Sequence, residues 1–397
     1  MTTARTATPS TARAINDRLA LNLLLEQGPL TATELRDLTG LSRPTVADLL
    51  DRLQRTGLVA VVGERGEQRR GPNARLYALV ASRAHLAAFD VRSGGVSLVV
   101  ADLAGRTLAA ADLPVEGGGG PDTADRIVRT LLDTARGAGV ERLHTVAVGA
   151  PGLVDPATGR LHSTGALPAW HAELLTALRE LPGTEVILEN EVNLAGRAEH
   201  RIGAARDRDT FVLMWLGHSV GAAVILDGRL RRGFSGGTGE ICFLPVPGTA
   251  GLPSAASSAG GFHGLVGSAA ICELARAHGL PADPAGDASA AEGAVRTALD
   301  ALGDDAPGGP FLGALAERIA IGAASVCVVL DPGCVVLGGE IGRAGGAELA
   351  GRVERRLAEL SPLRTEVRAG TAGGGAVLAG AVLTAGDAVR RDLFGEP

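Results

Sequence analysis

The chain has 397 residues, more than one core accommodates, so two or three domains are expected. Hydrophobic residues make up 46% of it but aromatics only 3%, which leaves aliphatic side chains to build the cores. The net charge of −6 divides into +3 over residues 1–80 and −9 over the rest, which confines any polyanion partner to the first segment. All 38 basic residues are Arg, read as the codon bias of a G+C-rich genome. No run of eighteen apolar residues occurs, and MTTARTATPSTAR has no apolar stretch, so neither a membrane span nor a secretory signal is expected. Cys242, Cys272, Cys327 and Cys334 are scattered without C-x-x-C spacing and read as reduced core thiols of a cytoplasmic protein.

Residues 1–12, rich in Thr, Ala, Ser and Pro, read as a disordered arm. Residues 13–80 read as a DNA-binding domain. Ile15, Leu19, Leu23 and Leu24 recur at helical spacing up to Gly28-Pro29, and a second short helix runs from Thr31 to Gly40. Ser42 is a suitable N-cap for a third helix with Pro44 in its first turn. Val46, Leu49, Leu50 and Leu53 would point inward, leaving Arg43, Thr45, Asp48, Arg52 and Arg55 outside. Two helices joined by a short Gly-containing turn make a helix-turn-helix with the second as recognition helix. Strands at 58–62 and 74–79 then flank the loop GERGEQRRGPN, a hairpin wing with a basic tip. A solvated charge run or a protein-interaction module is the plainer reading. The basic tip behind a helix that begins with Arg43 and Thr45 favours double-stranded DNA. Arg43 and Thr45 are the expected base readers and Ser42 a phosphate contact; the wing arginines Arg65, Arg69 and Arg70 are expected at the adjacent minor groove, and Asn73 is a further expected DNA contact.

From residue 81 the pattern becomes α/β. Strands are expected at 85–90, 96–102 and 106–115, a helix at 122–139 and a strand at 145–149. VILENEVNLAGRAE (186–199) ends a buried strand and opens a helix. Asn190 or Asn193 could cap that helix. A cap needs one such residue, however, and Glu189, Asn190, Glu191 and Asn193 fall within five positions at a strand's carboxyl end, where α/β sheets place ligands. The scheme then repeats with strands at 211–215 and 220–226 and a turn into 229–232, which implies two lobes around a cleft, 81–200 and 201–397. A Gly/Ser/Ala-rich loop is expected at 248–261 and a Pro/Gly-rich insertion around a short helix at 281–310. A long helix at 312–330, a strand at 334–337 and a closing helix at 376–389 complete the chain.

In this order GPNARLYAL, VGAPGLVD (148–155), LPAW (167–170), ENEVNLAGRAE, DGRLRRGFSGGTGE (227–240) and LDPGCVVLGGE (330–340) resemble the ROK family of bacterial sugar kinases and sugar-responsive repressors. The resemblance implies an N-terminal winged helix-turn-helix followed by a two-lobed, actin-like (ribonuclease H-like) fold. Family kinases carry Asp-Gly-Gly-Thr after the first strand; here Asp90 is followed by Val91, Arg92, Ser93 and Gly94. Their second phosphate loop, Gly-Thr-Gly-x-Gly-x-Gly, reads Gly217-His218-Ser219-Val220-Gly221-Ala222-Ala223. Their catalytic base, the Asp of an Asn-Asp pair, is Glu191 after Asn190, a degenerate base position. The family zinc site is also lost: Phe243 stands at its His, and 255–261 lacks its cysteines. Carried over from the family, the ligand contacts are Asn190, Glu191, Glu240 and, in place of a later Glu, His263.

The expectation is therefore a transcriptional regulator, a repressor responding to a sugar-like effector, with no catalysis, cofactor or metal. Paired half-sites require a homodimer or homotetramer. A carbohydrate kinase that retains a DNA-binding domain is the alternative from another class, and a ligand-independent regulator the third.

Overall fold

The computed structural model describes residues 9–65, 74–92, 94–162, 168–284, 286–303 and 306–395. The first helix, Pro9–Gln27, begins four residues inside the expected arm, because Pro9 supplies a helical φ at a position whose N–H has no intrahelical partner anyway. Thr31 caps the helix Ala32–Thr39 in a reciprocal capping box with Glu34, and Gly40 ends it in the left-handed conformation. Ser42 caps Arg43–Arg55, whose Val46, Leu49, Leu50 and Leu53 are buried as the spacing requires. The strands Val59–Arg65 and Ala74–Leu79 form the wing, and Leu30–Thr31 adds a short third strand.

Two five-stranded sheets follow with the same construction. In the first, His85–Arg92, Gly95–Asp102 and Thr107–Pro114 form an antiparallel meander, and Thr145–Ala150 and Glu185–Asn190 continue from its first strand in parallel. In the second, Phe211–Leu216, Val220–Leu226 and Arg229–Arg231 form the meander, and Cys334–Gly338 and Glu366–Ala369 are the parallel pair. The doubling inferred from pattern is therefore a doubling of topology. Helices Glu191–Arg201 and Ala376–Phe394 lie between the sheets and share one core with the winged-helix residues. They approach closely: a Cβ on Gly380 would strike the Leu194 carbonyl, and one on Gly196 would strike Ala223.

Other helices cover the outer faces. Thr123–Gly137 and Trp170–Arg179 pack on the first sheet. Ser268–Ala277, Ala288–Asp300, Gly308–Leu330 and Gly339–Leu360 pack on the second. Gly308–Leu330 is long and apolar enough to cross a membrane, but Phe311, Leu312, Leu315 and Ile319 bury it in this core. Among the longer elements of the described residues, Trp170–Arg179, Ser268–Ala277, Gly339–Leu360 and Glu366–Ala369 escape the pattern reading. Gly339–Leu360 carries glycines that locally read as breakers, and it does kink at Gly346, where φ is 53°. Residues 281–310 are not merely an insertion, since Ala291, Ala294, Val295 and Ala298 are buried. All four cysteines are free and buried, as expected of core thiols.

Candidate functional site

On the winged helix, Arg43 is exposed at the first turn of its helix and has no ion pair or hydrogen bond among the described residues. The Ser42 and Thr45 hydroxyls share a hydrogen bond of 2.8 Å, and both sit at the same helix end. Pro44 has no N–H and the Ser42 hydroxyl already accepts from the Thr45 N–H, so a phosphate here would meet the two hydroxyls and the Arg43 side chain more than free backbone donors. Arg52 departs from expectation. It pairs with Asp17 of the first helix at 2.6 Å and with Asp48, so it braces the domain instead of standing free. Arg65 pairs with Glu34 and ties the wing to the second helix. Arg69, Arg70 and Asn73 lie outside the described residues.

The carboxyl ends of the parallel strands in both sheets converge on the cleft, and the four polar residues of the central stretch separate there by role. Glu189 is buried and accepts from Asn193 Nδ2 at 3.0 Å and from Arg232 Nε of the second lobe at 2.7 Å. Those two side chains are satisfied structural groups, not ligand contacts. Asn190 is the helix cap: its Oδ1 accepts from the Val192 and Asn193 N–H groups. Its Nδ2 donates to the Gly152 carbonyl at 3.2 Å and to Glu191 Oε2 at 2.8 Å. The cap and site readings thus converge on Asn190, which positions Glu191. Burial, reinforced by the charges of Glu240 and Asp90, pushes the Glu191 carboxyl up to about 8. Glu240 is also raised by burial, and the Cys242 thiol donates to it at 3.5 Å.

His263 stands apart. It makes no hydrogen bond or ion pair with Asn190, Glu191 or Glu240 among the described residues, and its Nδ1 is buried without a partner. Burial and the nearby His218 lower its pKa. The loop replacement that made it a candidate sets residue type but not direction.

Arg92, which replaces a glycine of the family's first phosphate loop, spans the two lobes. Its Nε and Nη2 donate to Asp90 Oδ2 at 3.0 and 2.9 Å, and its Nη1 donates to Glu340 Oε1 at 3.1 Å. Glu340 opens Gly339–Leu360 and also crowds Gly217, where a Cβ would meet its Oε2. A guanidinium and a carboxylate therefore join the two lobes beside both loops that correspond to the kinase phosphate loops. The adjoining cavity of about 360 Å³ is lined by Arg92, Trp215, Glu292, Gly339, Glu340 and Arg343.

The raised Glu191 carboxyl has a measurable consequence. Below about 4.5 the folded and unfolded chains both carry this proton, and the group's favourable contribution is fully present. As pH rises toward 8 the unfolded chain has released the proton while the folded chain retains it, so stability is lost across that window. Urea unfolding at several pH values should show a shallower decline from pH 5 to 8 in Glu191→Gln than in the parent. Parallel declines would mean that Glu191 ionises normally.

Comparison with known proteins gives a match to the ROK family profile over residues 91–387 and to the MarR family profile over residues 15–71. The chain is 23% identical to the xylose repressor of Bacillus subtilis over 237 residues, 59% of this chain and 61% of the relative. It is likewise 23% identical over 243 residues to the DNA-binding transcriptional dual regulator NagC of Escherichia coli, covering 59% of this chain and 58% of the relative. The match thus spans about three-fifths of the length of these curated relatives. The crystal structure of a ROK family transcriptional regulator, a homolog of the E. coli MLC protein, aligns with a TM-score of 0.73 at 20% identity, covering 96% of this chain and 98% of the other. The fold is therefore a winged helix joined to the two-lobed ROK body. Since the family profile matches well over half of its residues, the chain belongs to the ROK family.

Proposed function

We propose that this protein is a DNA-binding transcriptional regulator, a repressor whose inter-lobe cleft takes a sugar-like effector. The observation that carries this reading is that Arg43, with no ion pair or hydrogen bond among the described residues, opens a Ser42-capped recognition helix; the Arg92–Glu340 pair of the body supports it. The first feature suits base contact in a major groove. The second puts an ion pair where a nucleotide's phosphates would need close backbone approach, which argues against phosphoryl transfer. Glu191 also keeps its proton at neutral pH and is a poor general base there. The names of the xylose repressor and of NagC support the same reading. Recognition of a two-fold operator calls for a homodimer or a homotetramer.

The test is to map where the purified full chain binds its own genome and then titrate sugars against the complex. Selective binding upstream of transport or catabolic genes, weakened or strengthened by one sugar, is the expected result. With ATP and common hexoses the protein should form no sugar phosphate. Turnover above background that disappears in Glu191→Gln would replace this reading with the kinase.

A further inference from the structure

We propose that the cleft selects a polyhydroxylated ligand bearing a positive charge, an amino sugar or aminocyclitol with a free ammonium group, held by Asp90, Glu191 and Glu240. This rests on the reading of the cleft as an effector site and names the chemical class that fills it.

The first observation is Asp90. Its side chain is 8% exposed, and Arg92 occupies only Oδ2. Oδ1 is buried with no hydrogen-bond partner. A buried carboxylate oxygen without a donor is costly, and this residue is joined through Arg92 to Glu340 of the other lobe.

The second observation is the charge balance. One guanidinium, Arg92, is shared by Asp90 and Glu340. Asp90 and Glu240 lie near enough to Glu191 to help keep its carboxyl protonated, so acid groups outnumber the cation here even with Glu191 neutral. Of the neighbouring cations among the described residues, Arg232 is taken by the buried Glu189 and Arg343 by Glu292. A neutral sugar would fill the space and leave the excess negative charge uncompensated. An ammonium group would supply three donors and the missing charge together.

A metal ion is the competing occupant. Among the described residues no three His, Cys, Asp or Glu side chains stand close enough to hold one. Carboxylates spread in this way suit a larger cation whose hydroxyls reach the remaining acceptors. Asn190 cannot select a neutral hydroxyl instead, because both ends of its amide are already engaged within the chain.

Calorimetric titration of the full chain at neutral pH, in matched pairs, tests the proposal. The pairs are glucosamine against glucose, glucosamine against N-acetylglucosamine, and 2-deoxystreptamine against myo-inositol. At least one amine should bind about tenfold or more tightly than its neutral counterpart, the scale expected for one added charge-assisted contact. Glu240→Gln and Asp90→Asn should each shrink that preference while unfolding cooperatively. Equal affinity for amines and neutral sugars overturns the charge class and leaves the effector reading standing. A preference that survives in both variants puts the cation elsewhere and overturns the proposed site. If none of the ligands binds while operator binding persists, both the proposal and the effector reading fall.

Discussion

Arg43→Ala in the full chain is expected to weaken the specific operator complex by about 1–3 kcal/mol, roughly 10- to 100-fold, with little change on unrelated DNA. Arg43 opens a helix whose opposite face is fixed by four buried aliphatic residues, so its guanidinium has a defined direction. It has no competing carboxylate among the described residues, whereas Arg55, further along the same helix, pairs with Asp51 at 2.9 Å. Arg55→Ala should therefore cost far less specificity, and the two variants compared by anisotropy titration separate base reading from general charge. Salt titrations add a second readout. Loss of a phosphate contact lowers the slope by about 1, whereas loss of a base contact mainly shifts the affinity of one sequence. Equal losses on operator and random DNA in Arg43→Ala would remove it from the reading face.

Glu199→Ala is expected to give the largest loss of stability, about 2–4 kcal/mol, seen as a lower urea midpoint at unchanged slope. Glu199 is buried in the helix that lies between the sheets. Its carboxylate accepts from the Ala204, Thr371 and Ala372 N–H groups at 2.7, 3.1 and 2.9 Å. Each is a charge-assisted bond, and alanine leaves all three donors without a partner. Glu199→Gln keeps an acceptor oxygen and should lose less. The effect should reach the cavity as well, because Gly370, which packs on Glu199, and Gly373 line it. An unchanged midpoint in Glu199→Ala would show that water satisfies these donors at no cost.

Local physics alone determined much of this protein. A Ser before Arg-Pro, aliphatic residues at helical spacing and a Gly at each turn placed the winged helix almost to the residue, since caps and amphipathic periods act within a few positions. Alternating and continuous apolar runs likewise marked the two meanders, whose strands are short and bounded by Gly. Glycine-rich helices were not legible. Gly339–Leu360 is held by the packing of Leu349, Val353 and Leu357 against its neighbours, which outweighs its poor local propensity. The site divides in the same way. Glu191 and Glu240 stand out as candidates in the sequence because a strand end and the family motif mark them. Which polar groups are free, however, depends on partners far away in the chain. Arg232 removes Glu189 from the cleft across 43 positions, and Glu340 meets Arg92 across 248. Residue type states what a side chain can bind; only the tertiary structure decides whether that capacity is already used, because hydrogen bonds and burial are properties of neighbours in space.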